Sequence, residues 1–336
     1  MKKYLWLTVF LAAVCMTGCG SEQQSSIPAM TKKTTTAQTA AKVQMKSESQ
    51  KLAEQLENAL AERTAKQTEM NTKNQAYTNA QQAYTKALNN LESYKAEHED
   101  IVPYLGKGTL GFFEYCGADD AVEVLKNAQY ASSTKIGELT DATALDNMLQ
   151  VFPHIKNCNI IREGYEVEPL KVTHRLMAIA ESNLNWTDEH MESANQFDEA
   201  ENFIFDEGNP FSEWYDTEKE HDGEHFQRFL NDKYVLTGFA YCTAKRSGEH
   251  DFSHLQVFSG KTEETVYTVD EYEAMFDEFF NAAKGTEAEL NTLMKEAETA
   301  KSKADACQLD YEEAKEAYEK ANETYEKAQK VYDWYT

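Results

Sequence analysis

The stretch from Trp186 to His225 concentrates the residue types that could carry out acid–base or metal chemistry. It contains three histidines among many aspartates and glutamates. Imidazole nitrogens can hold zinc, and carboxylates can orient a water molecule or a neighbouring imidazole ring. Nowhere does the sequence contain a G-x-S-x-G turn, a glycine-rich phosphate loop or an H-E-x-x-H helix. The chemistry on offer is therefore that of histidine and carboxylate side chains in this stretch.

Six cysteines are spread over the chain without any C-x-x-C pair, which argues against a compact zinc site. Two of them, Cys15 and Cys19, fall within or directly after an N-terminal export signal. The other four lie in apolar or helical contexts and are interpreted as small buried hydrophobic residues. Whether any of them form a disulfide stays open at this point; they are Cys116, Cys158, Cys242 and Cys307.

The first 18 residues have the features of a secretory signal. Two lysines precede an apolar run from Leu5 to Val14, which is too short to span a bilayer. The sequence M-T-G-C ending at Cys19 resembles a bacterial lipobox, which predicts diacylation (palmitate is the typical chain) of the cysteine thiol. Two acyl chains are enough for stable anchoring, so we expect a lipoprotein on the extracytoplasmic face of the cell membrane. The alternative is an ordinary signal peptide cleaved nearby.

The charge balance narrows the range of partners. With 33 basic and 58 acidic residues, the chain has a formal charge of −25. Nucleic-acid binding needs a basic face, so a nucleic-acid partner is not expected. We interpret the excess of acidic residues as a feature that keeps the protein soluble at a crowded cell surface.

Two long helical patterns bracket a middle domain. Residues 19–44, rich in Ser, Thr, Gln, Ala and Lys, are expected to form a flexible tether. In 45–98 and again in 286–334, apolar residues recur at alternating steps of three and four, which predicts coiled-coil helices. Their similar lengths favour an antiparallel hairpin within one chain. Self-association through the same helices is the alternative.

The middle domain, residues 101–283, mixes helices and strands without a regular βαβ alternation. We expect helices at 119–128, at 141–162 with a kink at Pro153, after the N-cap Thr173, and after Asn209. Strands are expected at 233–244 and 253–259, and a capping box at Thr268–Glu271 opens another helix. This pattern predicts an α+β fold or a layered α-β-α sandwich.

Six segments in this domain together resemble the CAP superfamily, also called the SCP domain, in the form common in bacterial secreted proteins. They cover roughly half of the chain in the order found in the family. The resemblance implies the CAP-type α-β-α sandwich, here inserted between the two long helices. The segments are Ala142–Gly164, Leu170–Trp186, Gln196–Phe203, Asn209–Lys219, Gly223–Ala240 and His254–Phe258.

CAP domains typically build a groove with two histidines and two glutamates. Carried over by position, Glu201 matches the glutamate of the family's G-E-N, with Ala200 in place of glycine. His225 matches the histidine of G-H-Y, with Glu224 where glycine is expected. The remaining two family positions are occupied by Ser193, where a histidine is expected, and Thr217, where a glutamate is expected.

Neighbouring residues could in principle replace the two missing groups. His190 lies one helical turn before Ser193, Glu218 directly follows Thr217, and His221 precedes His225 by four residues. We expect all three to be solvated, and we interpret Glu201 with His225 as a structural pair in which carboxylate holds imidazole. No cofactor is therefore expected. A zinc ion held by His225 with His190 or His221 is the alternative, and Trp186, Trp214 and Phe258 are expected in the core.

The sequence thus favours a membrane-anchored module that binds an envelope or extracellular ligand, or has a structural role there, without catalysis. The second hypothesis is a metal-assisted hydrolase acting on peptide or cell-wall material through Glu201, His225 and a recruited histidine. The third is a mechanical envelope protein that oligomerises through its helices.

Overall fold

The computed structural model describes residues 33–190, 192–194, 197, 199–205, 208–243, 251–260 and 264–336, with backbone only at 33–44 and Lys46. The export signal and Cys19 lie outside these residues. Helix α1 runs Lys33–Glu97, so it takes in the second half of the predicted tether. No Pro or Gly follows Pro28 in that segment, and nothing there interrupts the helix as it extends towards the N-terminus.

The middle of the chain forms six shorter helices and four strands among the described residues. The first helices are α2 (Gly108–Tyr115), α3 (Asp119–Asn127), α4 (Leu145–Leu149) and α5 (Val151–Gly164). The rest, in chain order, are β1 (Lys171–Val172), α6 (His174–His190), β2 (Ala200–Phe205), α7 (Glu224–Phe229), β3 (Leu236–Cys242) and β4 (Ser253–Ser259).

The strands make one sheet in the order β1-β3-β4-β2. Strand β1 is parallel to β3, whereas β3 with β4 and β4 with β2 are antiparallel. The sequence pattern predicted β3 and β4 but neither of the outer strands. The first is only two residues long, and the second has no clear alternation of apolar and polar residues.

Helices cover both faces of this sheet. Helix α6 lies so close to β3 that a Cβ at Gly238 would be 2.0 Å from the carbonyl oxygen of Leu176, so only glycine fits there. On the opposite face, Gln256 of β4 donates to the Cys158 sulfur of α5 at 3.6 Å. The result is a helix–sheet–helix arrangement, which confirms the expected α+β class.

Two local predictions about helix ends are confirmed by hydrogen bonds, and one is corrected. The Thr173 hydroxyl accepts from the Leu176 amide at 3.2 Å, and Thr268 with Glu271 forms the reciprocal capping box. The expected helix 141–162 is instead two helices, α4 and α5, which meet at Gln150. Pro153 lies in the first turn of α5, where its missing N–H costs nothing.

The last helix, α8, runs without a break over Val269–Tyr335. It joins the helix opened by the capping box to the predicted coiled-coil segment. Gly285 lies between them, but a single glycine costs a helix only about 1 kcal/mol. The start of α8 contributes Tyr272, Phe276 and Phe279 to the core, where Phe112 packs against all three rings.

The chain divides into two compact units, one of residues up to 73 with 311–336 and the other of 74–310. Within the first, the Tyr335 hydroxyl donates to Glu48 at 2.8 Å, and the Arg63 guanidinium lies 4.1 Å from the centre of the Tyr325 ring. These contacts show that α1 and α8 run antiparallel there. Among the described residues, no helix has a long enough apolar segment to cross a membrane.

Candidate functional site

An open cavity of about 960 Å³ lies beside the outer strand β2 and helix α7. Its lining combines aromatic rings with carboxyl, imidazole and guanidinium groups. Three of the residues that the sequence singled out, Ser193, Glu201 and His225, line it together. Its other lining residues include Phe197, Phe203, Tyr234, Phe258, Glu224 and Arg228.

Glu201 is held on β2 with its carboxyl group almost fully buried; the residue is 8% exposed. The Ser193 hydroxyl donates to Oε1 and the Asn183 amide of α6 donates to Oε2 at 3.1 Å. Ser193, in the place of the expected histidine, thus fixes the carboxyl with a neutral hydrogen bond. Asn183 was not singled out from the sequence, because it lies among the apolar residues of α6.

The carboxylate that holds His225 is Glu218, and not Glu201 as the sequence had suggested. The Nδ1 atom of His225 donates to Glu218 Oε1 at 2.5 Å. The amides of His225 and Phe226 donate to Oε2 at 2.9 and 3.1 Å, so the same carboxylate caps α7. Burial opposes ionisation of Glu218, but the hydrogen bonds from His225 and the α7 amides outweigh it and lower the pKa of this carboxyl.

The geometry of the preceding turn explains why Glu218, rather than Thr217, reaches His225. Ser212–Thr217 forms a wide π turn, which has more residues per turn than an α-helix. In a wider turn the residue four after Trp214, rather than three after it, returns to the same face. Thr217 accordingly faces solvent and donates to the Ser212 carbonyl at 3.2 Å, whereas Glu218 reaches His225.

Below the pair, Trp214 is fully buried and stacks on the His225 ring, with ring centres 6.1 Å apart. A Cβ at Gly223 would lie 2.2 Å from Glu218 Oε2, so glycine leaves the room that the carboxylate occupies. Trp214 and Phe258 are core residues as expected, although Phe258 also borders the cavity. Trp186 is half-buried and stacks between Tyr130 and His190.

Arginines join α7 to the surrounding backbone. Arg228 donates to the Glu201 carbonyl at 3.0 Å and to the Glu224 carboxylate at 2.8 Å. Arg162 of α5 is fully buried and donates to the carbonyls of Glu168, Phe229, Asn231 and Tyr234. Because Tyr234 lines the cavity and Phe229 ends α7, Arg162 sets the position of this wall. Neither arginine was assigned a role from the sequence, because its partners are backbone carbonyls that no local pattern reveals.

The two other histidines of the stretch do not reach the cavity lining. His190 is exposed, stacks on Trp186 and donates to its carbonyl at 2.9 Å. His221 is exposed as well. Over the part of the chain that the structure describes, no group of three or more His, Cys, Asp or Glu side chains is placed to bind a metal ion. No disulfide joins any of the four cysteines beyond the signal, all of which lie in the described part of the chain.

A second, smaller cavity of about 390 Å³ lies at the start of α6 and is bordered by His174, Cys116 and Glu264. His174 is packed among aromatic rings, and its Nδ1 is hydrogen-bonded to the Tyr272 hydroxyl at 3.0 Å. Burial lowers the pKa of His174 to about 4 and raises that of the Cys116 thiol to about 11. Neutral forms of both side chains are therefore favoured near pH 7.

No family model matches the sequence, and no curated protein is similar to it. Among solved structures, a cysteine-rich secretory protein from Staphylococcus aureus subsp. aureus Mu50 matches with 22% sequence identity and a TM-score of 0.27. The match covers 34% of this chain and 39% of that one, so this chain spans well under half of that protein's length. A match at this level carries no argument about the fold or the activity of this chain.

Proposed function

We propose that the chain is an extracytoplasmic, lipid-anchored binding module. In this proposal residues 101–283 form a CAP-type domain whose groove takes a ligand of the cell envelope or its surroundings. The two long helices form its coiled-coil stalk, and Cys19 carries the lipid. The single observation that carries the binding role is the open cavity in which Glu201 and His225 are both held by neighbouring side chains.

The way these groups are held favours binding over catalysis. Glu201 has a donor on each oxygen, and His225 has its Nδ1 engaged by Glu218. His190 and His221 are absent from the lining, and over the described residues no three His, Cys, Asp or Glu side chains are grouped to hold a metal ion, whereas zinc prefers at least three protein ligands. The aromatic walls and fixed polar groups are those of a preformed ligand site.

Zinc titration of the full chain in detergent, followed by calorimetry, is the test. We expect no saturable binding for the parent chain or for His225→Ala. Tight binding of one zinc per chain, lost in His225→Ala and unchanged in His190→Ala, would overturn the non-catalytic proposal and support a metal-assisted hydrolase.

The anchor is tested separately. We expect the parent chain to incorporate a labelled fatty acid and to sediment with membranes, and Cys19→Ala to do neither. Equal membrane association of Cys15→Ala and the parent would locate the acylation at Cys19. Soluble, unlabelled parent chain would refute the lipid anchor while leaving the groove untouched.

A further inference from the structure

Three exposed apolar side chains lie at one end of the antiparallel helix pair in the unit formed by residues up to 73 and 311–336. Trp334 is 86% exposed, Met45 58% and Val331 50%. Val331 and Trp334 are three residues apart on α8 and therefore share a face. We call Met45, Val331 and Trp334 the terminal patch.

One hydrogen bond links the two helices at this end. The Tyr335 hydroxyl donates to Glu48 at 2.8 Å. Met45 precedes Glu48 by three residues, and Val331 precedes Tyr335 by four, so each lies one turn from this bond on the same side of its helix. In this unit the only other exposed large apolar side chain among the described residues is Leu60, at 40% exposure.

The local charge at the terminal patch differs from that of the whole chain. Residues 47–51 contain Glu48 and Lys51, a side-chain charge of zero, and residues 327–336 contain Lys327, Lys330 and Asp333, a side-chain charge of +1. The chain as a whole carries −25. Tryptophan and tyrosine collect at membrane–water interfaces, and basic side chains are attracted to anionic lipid surfaces. An apolar, slightly basic end therefore fits a lipid surface.

Chain length allows the anchor and the patch to reach the same surface. The 14 residue steps from Cys19 to Lys33 can span at most about 50 Å. The helix from Lys33 to Glu48 covers 15 residue steps, or about 22 Å. The greatest possible span from Cys19 to Lys33 exceeds the length of helix from Lys33 to Glu48. The terminal patch can therefore touch the bilayer that holds an acyl group on Cys19.

We propose that the terminal patch docks onto the headgroup region of the membrane that holds the lipid anchor, with Trp334 as the inserted side chain. The inference rests on the proposed lipid anchor for its partner. The contact adds a second, weaker attachment and fixes how the end of the helix pair meets the membrane.

Trp334 can be tested through its own fluorescence, because Trp214 is fully buried and Trp186 half-buried. The full lipidated chain is reconstituted into phosphatidylcholine–phosphatidylglycerol vesicles, with and without brominated acyl chains. The Trp334 signal is the difference between the parent and Trp334→Phe. We expect this signal to shift to the blue, to be quenched by brominated lipid and to lose most of its quenching by iodide.

A matched control places a tryptophan elsewhere on the same helix pair. Leu60→Trp in the Trp334→Phe background should stay open to iodide and insensitive to brominated lipid. Equal iodide quenching of Trp334 in vesicles and in buffer, with no bromine effect, would overturn the inference.

The two proposals fail in different ways. Parent chain that does not float with vesicles refutes the anchor, whereas parent chain that floats but keeps Trp334 exposed refutes only the docking. If the chain proves not to be lipid-anchored, the same vesicles are added to the soluble chain and the Trp334 fluorescence is measured in the same way. A Trp334 signal that neither shifts nor is quenched by bromine refutes it.

Discussion

Two cavities of the middle domain are each bordered by a histidine, and the surroundings of these two histidines differ. In the larger cavity His225 meets the carboxylate of Glu218 and keeps about a third of its side chain in contact with solvent, 29%. In the smaller one His174 is 8% exposed among Phe112, Phe113, Tyr267 and Tyr272, with a phenol as its hydrogen-bond partner. The first environment places a carboxylate beside the imidazole ring, whereas burial in the second opposes a positive charge on His174. We therefore expect the larger cavity, rather than the smaller one, to accommodate charged groups.

The largest effect should come from protonating His174. Its pKa is about 4 in the folded chain and near 6.5 in the unfolded chain, so the unfolded state binds more protons between these values. Its contribution to the unfolding free energy is intact above pH 6.5 and falls by about 3 kcal/mol as the pH drops through that window. Urea unfolding at a series of pH values measures it.

The control for His174 is His174→Phe, which keeps a ring but cannot titrate. The acid-side slope between pH 6.5 and 4 should flatten in this variant. A slope unchanged from the parent would show that another group causes it and that His174 is not shielded as described.

An effect of similar size should come from removing the carboxylate beside His225. Glu218→Ala deletes three hydrogen bonds, including the cap of α7, and we expect a loss of about 2–4 kcal/mol in unfolding free energy. The neighbouring Thr217→Ala removes a solvent-facing hydroxyl and should cost less than about 0.5 kcal/mol. Similar losses from both variants would contradict the assignment of Glu218 as the holder of His225.

A pH-dependent effect of opposite sign to that of His174 is expected from Glu181. Burial raises the pKa of this carboxyl well above its usual range, the Thr109 hydrogen bond opposes the rise, and the charge of Asp141 adds to it. The folded chain therefore keeps a proton that the unfolded chain loses above about pH 4.5, and stability falls as the pH rises through the folded pKa. Glu181→Gln should be relatively more stable at pH 8 than at pH 5. A constant difference at both pH values would argue against a protonated Glu181.

Local sequence rules predicted much of this domain and missed the parts that depend on distant contacts. Thr173 and the Thr268 box are visible in sequence because a cap and its helix are adjacent along the chain. Strand β2 was missed because its pairing with β4, more than fifty residues later, defines it. Glu218 was set aside because counting three residues from Trp214 assumes a regular helix, and the wide turn after Phe211 depends on packing that no local pattern reveals.

The order of the strands has a consequence for how the chain can fold as it is made. The central strands β3 and β4 are the last two of the described strands in sequence, and β1 and β2 join the sheet through them. A chain emerging from its N-terminus therefore cannot begin its sheet until residue 236 is available. Until then α6 has no strand against which to bury its apolar face. A chain cut short before β3 should be degraded by proteases rather than form a smaller stable domain.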